Sequence, residues 1–83
     1  MTHEIKINSD FADAVLSGEK NFELRKNDRG YQKGDSVVFR VVDRDGVEMT
    51  EHALHGAEYN ITYVLGGWGL RPEFCAFGIQ RKE

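Results

Sequence analysis

The run Ser36-Val37-Val38-Phe39-Arg40-Val41-Val42 decides the fold. Four valines and a phenylalanine in seven residues crowd a helix but pack well on a pleated surface. Turn chemistry bounds the run on both sides. Lys33-Gly34-Asp35 precedes it, and Asp43–Gly46, with Asp45-Gly46 at its tip, reads as a hairpin signal. Val47–Leu54 is then expected to pair back along it, although its apolar content is thin. This segment is a strand with β neighbours.

Working outward, His3–Ile7 alternates through Ile5 and Ile7 and predicts a second strand. Asn8, Ser9 and Asp10 are N-cap candidates for a helix whose apolar positions Phe11, Ala14 and Val15 recur at helical spacing, with Gly18 ending it. Asn21–Lys26 alternates again, which predicts Phe22 and Leu24 in the core and Asn21, Glu23 and Arg25 on the opposite face. Asn27–Gly30 is a turn. Tyr59–Leu65 alternates through Ile61 and Tyr63, a loop Gly66-Gly67-Trp68-Gly69 follows, and Phe74–Ile79 is a last apolar strand. One N-terminal helix with about five or six short strands predicts a mostly β (α+β) fold, a small β-barrel in one domain over residues 1–83. Closure of the barrel would remove exposed sheet edges.

The chain of 83 residues is 40% hydrophobic and 30% charged, which excludes collagen-like and disordered classes. A chain this short buries only about 60–65% of its unfolded surface, enough for one core. No apolar run approaches the ~20 residues of a membrane-spanning helix, and the first ten residues lack the basic-then-apolar order of a signal peptide. The single cysteine, Cys75, makes no disulfide within the chain and fits a reducing compartment, so a cytoplasmic location is expected. Charge is unevenly spread. Residues 18–34 hold five basic and three acidic residues, whereas residues 35–70 hold two basic and six acidic ones. A basic segment on an acidic body permits local anion binding without the overall basicity of a generic nucleic-acid binder.

The motifs of several chemistries are missing. His52 and His55 lie three apart without a second ligand pair, so surface histidines are expected and no metal. Cys75 sits in the apolar run Phe74–Phe77, where a buried, inert thiol is expected. There is no nucleophile elbow, no phosphate-binding loop of either common type, and no cofactor is expected. The strongest constellation is Gly18-Glu19-Lys20-Asn21-Phe22-Glu23-Leu24-Arg25. Glu23 and Arg25 share a strand face and Lys20 lies just before it. Arg is a fixed fork of donors, Lys a mobile point charge and Glu an acceptor for exocyclic amines, a set suited to a base edge and a phosphate together. Without a ligand the same residues make an ordinary surface ion pair. Trp68 either stacks on a base or plugs one end of the barrel. Tyr31 is expected to be structural.

The run Gly18–Asp35, GEKNFELRKNDRGYQKGD, resembles the signature of ASCH domains, the activating-signal-cointegrator homology family. The matching residues are Gly18, Lys20, Arg25 and Gly34-Asp35, and Ile61–Leu65 with its Gly-rich loop resembles the short bacterial and phage subfamily. The resemblance runs from about His3 to Ile79. It implies a PUA-like barrel with an RNA- or nucleotide-binding cleft lined by Lys20 and Arg25. One ASCH branch acts on acetylated cytidine through a Lys, a Thr two residues before the Arg, and a distant Glu. Lys20 matches, but Glu23 stands where that branch has Thr.

These readings give a monomeric domain binding single-stranded RNA or a nucleotide through Lys20, Glu23 and Arg25, with Trp68 and Arg71 as further contacts. Two alternatives stand beside it. One is an enzyme on the same cleft, a ribonuclease or acetylcytidine-type amidohydrolase with Lys20 and Glu23 catalytic. The other is a protein-interaction module using the acidic face of residues 43–58.

Overall fold

In a computed structural model describing residues 1–83, the chain forms β1 (Thr2–Asn8), α1 (Ser9–Ser17), β2 (Phe22–Lys26), β3 (Ser36–Val42), β4 (Glu58–Gly66) and β5 (Phe74–Arg81). The five strands make one curled sheet in the order β1-β3-β4-β5-β2. β1 runs parallel to β3, with Ile5 opposite Phe39, and the other pairs are antiparallel. Crossover through α1, β2 and the following loop supplies the long connection a parallel pair requires. The sheet wraps around one core built from Ile5, Ile7, Val37, Phe39, Val41, Ile61, Phe77 and Ile79, with Val15 of the helix on top. No helix is long and apolar enough to cross a membrane.

Local chemistry sets the element ends. The Asn8 side chain accepts the Asp10 N–H at 2.8 Å and caps α1. Gly18 ends the helix at φ 87°, the left-handed conformation that glycine adopts without a Cβ clash. The helix turns Ala12 and Val15 inward; Phe11, expected on the apolar face, is half exposed instead.

Three expectations need correction. First, Val47–Leu54 forms no strand. Asp43–Gly46 is a turn, with the Asp43 side chain accepting the Asp45 and Val47 N–H groups at 2.9 Å, but pairing stops at one bridge between Val42 and Glu48. β3 pairs with β4 only over Ser36–Val38, and the loop satisfies the rest of that edge. Phe39 exchanges backbone bonds with Gly56 and Ala57, and the His55 imidazole accepts the Val41 N–H at 3.1 Å. Leu54, carried by this loop, is fully buried.

Second, the barrel does not close by a backbone ladder. β1 and β2 are both sheet edges. Two arginines span the seam: Arg25 donates to the Lys6 carbonyl at 2.5 Å and Arg29 to the Glu4 carbonyl at 2.6 Å. Alternate carbonyls of a strand point the same way, so residues 4 and 6 present acceptors to one edge. The result is a half-barrel stapled by side chains.

Third, Tyr63 faces out. A bulge places Ile61 opposite Ile79 and Tyr63 opposite Gly78, with Thr62 as the extra residue. Alternation therefore changes phase after Ile61. A Cβ on Gly78 would lie 2.4 Å from Thr62 Oγ1, so any side chain there requires Thr62 to shift. Gly78→Ala should cost about 1–3 kcal/mol through overpacking. Thr62→Ala in the same chain should recover most of the loss, because it removes the clashing oxygen. Urea denaturation of the two single variants and the double variant checks this; additive losses would sink it.

Candidate functional site: a cleft at the seam between the edge strands

Lys20 is placed by the end of α1. Its backbone N–H donates to the Ala14 carbonyl at 3.0 Å, which holds the residue over the last helical turn. Its Nζ donates to the Phe22 carbonyl at 2.8 Å and to Glu23 Oε1 at 2.6 Å. The same ammonium lies 5.8 Å from the Phe11 ring centroid and 5.1 Å from that of Phe22. From two residues further along β2, Arg25 Nε donates to Glu23 Oε2 at 2.9 Å. Each carboxylate oxygen of Glu23 thus meets one cation.

The sheet face that carries this triad reverses the expectation for β2. Glu23 points inward and is 3% exposed, while Phe22 and Leu24 point outward and are 50% and 54% exposed. Glu23 and Arg25 do share a face, but it is the inner one. A buried carboxylate costs much less when both oxygens are ion-paired and hydrogen-bonded, and here they are. Apolar periodicity is blind to that compensation.

Between β1, the start of α1 and β2 lies a cleft of about 420 Å³, lined by Lys6, Ile7, Asn8, Phe11, Lys20, Phe22, Glu23, Leu24 and Arg25. The structure therefore brings Lys20, Glu23 and Arg25 together. Trp68 and Arg71 lie elsewhere. Trp68 is 87% exposed on its glycine loop, at φ 51°, and plugs nothing. Arg71 lines a second cleft of about 320 Å³ with Leu24, Gly69, Leu70 and Phe74. Leu24 belongs to both clefts. Sequence reasoning missed the rest of the lining, Lys6 and Phe11 among it, and Phe22 and Leu24, which it expected in the core. Lys6 had a signal, its outward phase in β1, but nothing in sequence says that β1 and β2 end as neighbours.

The remaining polar groups are occupied structurally. His3, in phase with Ile5 and Ile7 on β1, is buried beside Tyr31 and bonds Asp35 Oδ2 at 2.8 Å. That bond, with the amino terminus and the Gln32 N–H as further donors, holds the Asp35 carboxyl below the usual aspartate range. His52 bridges Asp13 and the Leu54 N–H, so it too has a fixed structural place. No group of three or more potential metal ligands is assembled. Tyr31 is buried between His3 and Phe77, as expected, and burial pushes its phenol pKa up. Burial likewise raises the Cys75 thiol, leaving little of the reactive thiolate.

A family model described as a domain of unknown function, DUF3850, matches residues 2–79. The chain belongs to this family. A stretch of 36 residues is 44% identical to an uncharacterized 12.9 kDa protein in the GpA 3′ region of Escherichia phage P2. That stretch is 43% of this chain and 33% of the phage protein, so the match spans about a third of the relative's length. In this member of the family the matched region takes in α1, the whole β1–β2 seam and the Lys20-Glu23-Arg25 triad.

Proposed function

We propose that this chain is an ASCH-type, PUA-like domain that binds an unpaired RNA nucleotide, or a free nucleotide, in the β1–β2 cleft. One observation carries the reading: a buried carboxylate, Glu23, sits between Lys20 and Arg25 in a cleft also lined by two half-exposed phenylalanines, Phe11 and Phe22. Each carboxylate oxygen has a second acceptor position beyond its cation, suited to an exocyclic amine of a base. Rings at the rim offer stacking, and Lys6, Lys20 and Arg25 offer phosphate contacts. The volume falls in the ~300–1,000 Å³ range of small-ligand sites.

Binding is favoured over turnover because both Glu23 oxygens are already held as acceptors by two cations, where the amidohydrolase branch has a free hydroxyl. The acidic face is a weaker candidate. Its Glu48 is tied to Arg40 and its Glu58 to Lys82, which lowers the charge open to a basic partner. A single buried Cys75 with no disulfide partner in the chain fits a reducing compartment.

Lys6 separates function from folding, since it is exposed and its side chain makes no ion pair. Lys6→Glu should weaken nucleoside monophosphate binding about tenfold or more while melting like the wild type. Calorimetric titration at low salt, beside a thermal melt, checks both. Absence of binding to any nucleotide or single-stranded RNA would return the choice to the acidic face.

A further inference from the structure

The solvent face of the sheet beyond the cleft is unusually apolar. Register places Phe22, Gly78 and Tyr63 in one row across β2, β5 and β4, and Leu24, Ala76 and Leu65 in the next. Phe22, Leu24, Tyr63 and Leu65 are all exposed there. The one helix packs on β1 and β3 and covers none of them. A solvated face of an antiparallel sheet normally carries polar residues, and a contiguous apolar patch marks an interaction surface.

Two features say what covers it. The patch is continuous with the proposed nucleotide cleft, because Phe22 and Leu24 belong to both and Leu24 also forms the wall of the second cleft. The linings of the two clefts together hold Lys6, Lys20, Arg25 and Arg71 against a single carboxylate, Glu23, which is already paired. Rings and apolar side chains alternating with cations match a polyanion with flat bases. An apolar peptide would leave Lys6 and Arg71 without counter-charge and the Lys20–Glu23–Arg25 cluster with a net positive charge.

Resting on the nucleotide reading, we infer that the ligand is a single-stranded oligonucleotide rather than a lone nucleotide, running from the Lys20–Glu23–Arg25 cleft across Leu24 to Arg71. One base enters the first cleft. The strand then lies on the outer face of β2, and a following phosphate meets Arg71 beside the Trp68 loop. This gives the second cleft a role and makes Trp68, the sole tryptophan, a reporter of occupancy.

The test is a titration of the full chain with oligouridylates and oligoadenylates of one to six nucleotides, following Trp68 fluorescence and heat together. Affinity should rise about tenfold or more between one and four nucleotides and then level off, with Trp68 fluorescence changing only for the longer ligands. Arg71→Ala, an exposed position, should remove that gain with length. A mononucleotide that binds as tightly as the hexamer would overturn the extended path and leave the nucleotide cleft standing. Failure of every length to bind would overturn both. A length-dependent gain that survives in Arg71→Ala would overturn the path to the second cleft.

Discussion

Leu54→Ala should lower stability by about 2–5 kcal/mol, whereas Leu24→Ala should cost less than about 1 kcal/mol. Neither value follows from secondary structure, since Leu54 rides on an irregular loop and Leu24 sits in mid-strand. Exposure decides it: Leu54 is 0% exposed and Leu24 54%. Truncating Leu54 removes three heavy atoms from a fully buried position, on the loop that also supplies Gly56 and His55 to the edge of β3. Leu24 loses only solvent-side contacts. A domain of this length has roughly 4–12 kcal/mol to lose, so Leu54→Ala takes a large part of it. Urea denaturation of both variants is the check. Equal losses would mean that the β2 phase observed here is wrong and that Leu24 is a core residue.

Glu23→Ala should be the most damaging substitution at the cleft, at roughly 3 kcal/mol. It leaves Lys20 and Arg25 facing each other across the vacated carboxylate. The figure is placed at the low end of the ~3–5 kcal/mol range for broken buried pairs because their side chains keep 19% and 25% exposure. Lys20→Met should cost less, since Arg25 still neutralises Glu23. What is lost is the ammonium's ion pair with Glu23, its bond to the Phe22 carbonyl and its placement over the Phe11 and Phe22 rings. The comparison by denaturant melt isolates the charge. A loss under about 1 kcal/mol for Glu23→Ala would show that solvent reaches the carboxylate freely.

Much of the fold was legible because its signals are local. β3 runs over Ser36–Val42 as expected from its valines, and the cap at Asn8 and the stop at Gly18 bracket α1. The failures have two causes. At the Thr62 bulge and along Val47–Leu54 the outcome is set by partners far away in sequence, whereas in β2 it is set by local ion pairing that apolar periodicity does not register. A carboxylate faces inward because two cations wait there. Tyr63 faces outward because an extra residue shifts the register, and a strand is replaced because an imidazole serves its neighbour's edge. The grouping of Lys20, Glu23 and Arg25 was readable from spacing alone, since all three lie within six residues. Their burial, and the joining of Lys6 and Phe11 to them, was not.

The arginine staples across the β1–β2 seam also bear on how the molecule moves. Everywhere else in the sheet, separating two strands means breaking a cooperative backbone ladder, an event on the scale of local unfolding. At this seam, separation needs only two guanidinium groups to let go of the Lys6 and Glu4 carbonyls. Exposed side chains change rotamer in picoseconds to nanoseconds. Arg29 is exposed and can release its carbonyl on that timescale, whereas Arg25 is tethered to the buried Glu23. Opening of the cleft mouth thus follows these two side chains rather than the unzipping of a strand.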